Sequence, residues 1–253
     1  MTRNVLVTGG AMRLGANIAR ACATAGWQVV IHYGTSEKEA RALAAEIGGA
    51  AIGGDLANVA QIDALFDRAR AAAGGPVHAL VNSASRFEED RPERIEPALA
   101  LRLHTVNCLA PAMLAAALAR QADLDHGCVV NLLDQKLANP NPDFFSYTLT
   151  KYALSGATEM MAIAHAPRVR VNAVAPGLTL PSGDQSAAMF NEVASDNLLR
   201  RPVGAEQVAA AVLYLLDATS VTGQTLYVDS GQRFLKRDGD VMFKNRERAA
   251  AGG

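Results

Sequence analysis

The stretch "NVLVTGGAMRLGANIARACATAG", residues 4–26, decides the fold. Asn4–Thr8 reads as a short β-strand and stops at a glycine turn running from Gly9 to Gly15. Beyond it Leu14, Ile18, Ala21, Cys22 and Ala25 fall on one face of a helix that Gly26 closes. A strand that enters an amphipathic helix through glycines is the opening of a βαβ unit. Glycines there allow the backbone to approach a pyrophosphate, and the helix N-terminus stabilises its charge. "VTGGAMRLG" (7–15) is not a strict GxGxxG, and a purely structural turn would use glycines too, so the reading depends on the rest of the chain.

The remaining residues repeat the alternation. "QVVIHY" (28–33) precedes the helical "SEKEARALAAEIG", and "AAIGGDL", "VHALVNSA", "CVVNLL", "VRVNAVAPG" and "TLYVDSG" supply five more strands. Helices starting near residues 58, 98, 150 and 206 fall between them. Continuous apolar runs mark strands buried on both faces, and strict β/α alternation implies a parallel sheet. The expectation is a single-domain α/β Rossmann fold, a seven-stranded parallel sheet with helices on both faces. One nucleotide-binding domain is expected over residues 1–235, with 236–253 as a loosely ordered tail. Residues 178–200, long and polar after Pro176-Gly177, are a candidate lid.

Composition narrows the function. The 253 residues are half hydrophobic with a formal net charge of −1, which offers no electrostatic basis for binding nucleic acid or an anionic membrane. No run of about 18 apolar residues appears, so no membrane span is expected. The first residues pass straight into a strand without room for a signal peptide. Cys22, Cys108 and Cys128 sit in apolar settings without metal spacing. A cytoplasmic protein with no metal is expected.

The second strand is informative by omission. An acidic residue at its end would bind the 2′-hydroxyl of NAD, and "VVIHYGTSEK" has none before Glu37. Thr35, Ser36 and Lys38 are left to meet a 2′-phosphate, which favours NADP(H). Asp55 after the third strand suits either an adenine contact or a helix N-cap. Asn82 either meets the cofactor at the strand ends or closes a turn.

Further along the chain, Tyr147 and Lys151 stand at i and i+4 on one helix face. An ammonium near a phenol favours the phenolate and so tunes the tyrosine as a general acid. Asp134 lies thirteen residues before the tyrosine, just past a buried strand.

Taken together, these motifs resemble the short-chain dehydrogenase/reductase family over about residues 3–235. They are Thr8 to Gly15, Asp55-Leu56, "VNSA" at 81–84, Asn107 in "TVNCLAP", Tyr147-x-x-x-Lys151, Pro176-Gly177 and "VTGQ…VDSG" at 221–231. The resemblance implies that Tyr147 is the acid, that Lys151 holds the nicotinamide ribose, and that Asn107 supports a proton relay through water. It sets the cofactor against Gly9, Arg13, Leu14, Gly15, His32, Tyr33, Thr35, Ser36, Asp55, Leu56, Asn82, Ser83, Ala84, Tyr147, Lys151, Pro176 and Gly177. It also implies a homotetramer in which the helices around 98–120 and 150–166 pack against neighbours.

Three departures from the common family pattern matter. Asp134 replaces a serine, Arg13 replaces a glycine, and "NSASRF" follows the fourth strand where a glycine is usual. All three match the pteridine reductase branch, as does "IHYGTS"; Thr35 stands where that branch tends to carry an arginine. Reducing a pterin C=N requires a proton on ring nitrogen, and a carboxylic acid bonded to tyrosine is a suitable donor. Substrate contacts then fall to Arg13, Ser85, Phe87, Asp134, Tyr147 and Leu178, with Phe87 offering an aromatic face to a flat ring.

Each of these residues also has a plain structural reading: Asp134 as a cap, Phe87 as a loop residue on the core, Arg13 as half of a surface ion pair. The reading that absorbs all of them is an NADPH-dependent pterin reductase. The alternatives are a carbonyl or 3-oxoacyl thioester reductase on the same fold, and a non-catalytic NADP-binding sensor.

Overall fold

The computed structural model describes residues 3–181, 187–236 and 239. Its seven strands are β1 (Arg3–Thr8), β2 (Trp27–Tyr33), β3 (Ala50–Gly53), β4 (Ala79–Asn82), β5 (Gly127–Leu132), β6 (Val169–Pro176) and β7 (Thr225–Val228). They form one sheet in the order β3-β2-β1-β4-β5-β6-β7, every pairing parallel. Helices α1 (Arg13–Thr24), α2 (Glu37–Ile47) and α8 (Ala205–Asp217) cover one face. Helices α3 (Ile62–Ala73), α4 (Pro97–His104), α5 (Ala110–Arg120) and α6 (Phe145–His165) cover the other, and α7 (Ala187–Ala194) follows β6.

Alternation along β1 shows why both faces must be covered. Val5 and Val7 pack with Ile18, Val29 and Leu215 on the first face, while Leu6 packs with Leu65, Leu80 and Leu118 on the second; all are fully or almost fully buried. The strand order reverses between β1 and β4, so their carboxyl ends diverge and leave a crevice there. Thr8 marks that point. Its Oγ accepts the N–H groups of Ser83 and Ala84, both at 3.1 Å, and so fastens the end of β1 to the chain leaving β4.

One expectation needs correcting, and two elements carry detail that the sequence does not show. The helix expected near residue 150 starts at Phe145, because its cap lies 56 residues away in sequence. Asp90 accepts the backbone N–H of Ser146 at 2.9 Å through one carboxylate oxygen, and the Ser146 hydroxyl donates to the other. The helix beginning near 98 is continuous in path to Arg120 but passes through a π-turn at Thr105–Leu109. By length and composition this 24-residue stretch, Pro97–Arg120, could cross a membrane. Leu103, Leu114 and Leu118 within it are nevertheless fully buried in the core, so the apolarity belongs to packing. Within residues 178–200, the candidate lid, lies the helix α7. The tail expected from 236 lies outside the described residues except for Lys236 and Gly239.

Candidate active site

The crevice is a cleft of about 700 Å³ over the carboxyl ends of the strands. Its walls include Gly9, Arg13, Leu14, Gly15, His32, Tyr33, Thr35, Ser36, Asp55, Leu56, Ser83, Ala84, Ser85, Asp134, Tyr147, Lys151, Pro176 and Gly177. Four expected residues stand elsewhere. Asn82 is buried in the sheet, where its amide donates to Asn131 Oδ1 at 2.8 Å. Leu178 uses its N–H on Gln232, and Thr179 lines the cleft instead. Phe87 and Asn107 support the wall from behind or beside it.

At the cofactor end, two glycines are required by space. A Cβ on Gly15 would lie 2.2 Å from the carbonyl oxygen of Gly9, and one on Gly9 would lie 2.7 Å from Ala84 Cα. Helix α1 begins here with no side-chain N-cap and no acidic residue in its first turn. Its leading amides and their partial positive charge therefore suit a pyrophosphate.

Arg13 takes a left-handed backbone, φ 53°, at the very position where the family pattern has glycine. Such a conformation costs a non-glycine residue about 1 kcal/mol or more, and strain of this kind collects at functional sites. Its guanidinium spans to the carbonyl of Pro181 at 2.7 Å. Arg13→Gly is expected to leave thermal stability unchanged or slightly higher while weakening NADP⁺ binding roughly ten- to a hundredfold, the size of one or two charge-assisted hydrogen bonds. Parallel melting curves and calorimetric titrations check this; a parallel loss of both would mean the arginine is structural.

His32 lines the cleft but is only 2 % exposed, and both ring nitrogens are engaged. Nε2 lies 3.0 Å from the Gly54 carbonyl, and Nδ1 lies 3.4 Å from the Gly9 N–H. A carbonyl can only accept, so Nε2 carries the proton and neutral Nδ1 accepts. Burial pushes the imidazole down to about 4. The unfolded chain thus binds a proton near pH 6.5 that the folded chain refuses, so stability falls as pH drops from about 6.5 to about 4. The expected loss through this group is roughly 3 kcal/mol, and His32→Asn should flatten that part of a denaturation-versus-pH curve.

At the chemical end, the phenol of Tyr147 donates to Asp134 Oδ2 at 2.9 Å. Asp134 Oδ1 accepts the N–H of Lys136 at 2.9 Å, capping the 3-10 turn Gln135–Leu137. One oxygen caps the turn and the other accepts from the tyrosine, so capping leaves the tyrosine-facing oxygen in place. Lys151 donates to the Leu132 carbonyl at 2.8 Å, and its ammonium stands 5.5 Å from the centre of the Tyr147 ring. Asp134 keeps an edge open to the cleft but is densely surrounded by protein, and this desolvation pushes its carboxyl up. Burial also brings Lys151 down to about 8.

Asn107 sits in the π-turn and clamps the wall. Its amide accepts the Arg86 N–H and donates to the Arg86 carbonyl, both at 2.8 Å. Phe87, the next residue, stacks on Phe144 with ring centres 4.0 Å apart and meets Tyr147 edge-on at 4.7 Å. Sequence reasoning does not reach the parts that Thr8, Arg86 and Phe144 play in this site. Phe144 carries a signal only in its position, three residues before the tyrosine.

The fold and this site define a nucleotide-dependent oxidoreductase. The family model described as enoyl-(acyl carrier protein) reductase matches residues 10–233. The chain is also 31 % identical to pteridine reductase 1 of Leishmania tarentolae, over 89 % of this chain and 94 % of that one. It is 34 % identical to 3beta-hydroxysteroid dehydrogenase 1 of Eggerthella lenta, over 90 % and 93 %. Among solved structures, FolM alternative dihydrofolate reductase 1 of Brucella suis, in complex with NADP, superposes with a TM-score of 0.88 at 38 % identity, covering 93 % and 96 %. The chain belongs to the short-chain dehydrogenase/reductase family.

Proposed function

We propose that this protein is an NADPH-dependent reductase of a pterin ring. The observation that carries the reading is the Asp134–Tyr147 hydrogen bond beside Lys151. Gly9, Gly15 and the N-terminus of α1 would hold the cofactor pyrophosphate, Thr35 and Ser36 the 2′-phosphate, and Lys151 the ribose. When bound, NADPH supplies a hydride to a carbon of a pterin C=N bond. Asp134, whose carboxyl desolvation pushes up, would deliver a proton through the shared Tyr147 hydrogen bond to the ring nitrogen. Lys151 keeps the phenol oxygen polarised, and Asn107 supports re-protonation through water. Phe87 backs the flat substrate, and Ser85 and Arg13 meet its polar edge. The similarity to pteridine reductase 1 and to the NADP-bound FolM structure supports both substrate class and cofactor.

The same proposal includes one reductase domain over residues 1–235, a cytoplasmic location and a homotetramer. Exposed Leu101, Leu109, Leu149, Met160 and Ile163 on α4 to α6 supply apolar faces for neighbouring copies, which light scattering of the purified protein would detect. The activity itself is tested by NADPH oxidation with dihydropterins, dihydrofolate and an acetoacetyl thioester in parallel. Pterin-dependent turnover is expected; turnover of the thioester alone would overturn the reading in favour of a 3-oxoacyl reductase.

A further inference from the structure

Lys136 is a buried cation that the reaction above does not use. It lies two residues beyond Asp134 and is 3 % exposed. Burying an ammonium is costly unless hydrogen bonds replace its water, and a loop could as easily have pointed it outward. Here Nζ donates to Asn141 Oδ1 at 2.9 Å and to the carbonyl of Asp143 at 2.7 Å, and it lies 5.5 Å from the centre of the Phe144 ring.

Those partners lead to the substrate wall. Asn141 Oδ1 also accepts the Asp143 N–H at 3.2 Å, and the Asp143 carboxylate meets Arg91 at 2.8 Å. The next residue, Phe144, holds a left-handed backbone, φ 53°, from which α6 starts, and its ring stacks on Phe87. One ammonium therefore joins the beginning of the β5–α6 connection to its end, three residues before Tyr147.

We infer that Lys136 is a positioning residue: its buried ammonium fixes Phe144, and through it Phe87, at the substrate wall. The inference rests on the pterin-reductase reading of the site. The ionisable groups around Asp134 are Lys136 from the 3-10 turn, Tyr147 and Lys151 from α6, and beside Lys151 the Cys108 thiol from the π-turn. Asp134 and Lys151 titrate as an interacting pair. The Lys136 charge favours the Asp134 carboxylate, so removing it lets Asp134 hold its proton to higher pH.

The test uses the full chain with NADPH and a dihydropterin, comparing wild type, K136M and K136R from neutral to alkaline pH. K136M is expected to raise the dihydropterin KM roughly tenfold through misplacement of the wall, leave the NADPH KM unchanged, and move the alkaline limb of kcat upward. K136R should return the limb to its wild-type position and recover only part of the KM. If K136M is insoluble, K136Q removes the charge while keeping a donor. An unmoved limb in the neutral variants, or an equal rise in both KM values, overturns the inference. If wild type turns over only the thioester, the functional reading fails, and the same variants are compared with that acceptor.

Discussion

Asp134→Ser is expected to lower pterin-dependent NADPH oxidation by about a hundred- to a thousandfold, the range usual for losing a positioned general acid. NADP⁺ affinity should stay within about twofold, because no part of the cofactor cradle at Gly9, Gly15 and α1 depends on this side chain. The serine hydroxyl can still accept from Tyr147 or cap the 3-10 turn, and it holds the shape of the ordinary carbonyl-reducing site. It cannot supply a carboxylic proton to a ring nitrogen. Desolvation pushes the folded carboxyl up from its ordinary value, the direction a proton donor needs. Stability should change little, or rise: a buried carboxyl is removed, and one capping bond, Lys136 N–H to Oδ1, must be remade by the shorter side chain. Steady-state rates with a dihydropterin, alongside NADP⁺ titration, decide it. Full activity in the serine variant would reduce Asp134 to its capping role and sink the proposed chemistry. Loss of pterin turnover with a gain of ketone turnover would instead show that this one position selects the acceptor.

Periodicity and glycine placement make the sheet legible, since strands buried on both faces declare themselves as apolar runs. Tyr147, Lys151 and Asp134 are legible as a spacing, and the structure brings them together within one hydrogen bond and one ring contact. The hidden features depend on contacts between distant segments. Nothing local announces that Asp90 caps α6, or that Asn107 is locked to Arg86 across the wall. Asn82 escapes a sequence reading for the same reason. Its position at a strand end is plain, but only the facing strand shows that its amide turns inward to Asn131. For His32 the expected duty is a cofactor contact. The structure places it on the cleft wall and adds a second role, bracing the Gly9 turn against Gly54 from inside the fold.

Gly15→Ala should be the most damaging change at the cofactor end. A Cβ there would stand 2.2 Å from the Gly9 carbonyl oxygen, 2.9 Å from its carbon and 3.0 Å from Gly10 Cα. All three neighbours are backbone, so no side chain can rotate away, and the turn itself must move. That turn is pinned on both sides. Gly9 is confined by Ala84, and the Gly10 N–H is bonded to the His32 carbonyl at 3.0 Å. Overpacking of this kind costs about 1–3 kcal/mol or more. The displaced atoms also surround the place where the leading amides of α1 would meet a pyrophosphate, so NADP⁺ affinity should fall by roughly a hundredfold or more. Gly26→Ala makes the matched control: that glycine has a positive φ, 84°, but a Cβ there meets nothing within 4 Å, and it lies at the far end of α1. It should cost only the backbone strain, about 1 kcal/mol, and leave cofactor binding intact. If both variants lost stability equally and both still bound NADP⁺, the glycine turn would be a structural feature only, and the cleft would need another basis for holding the cofactor.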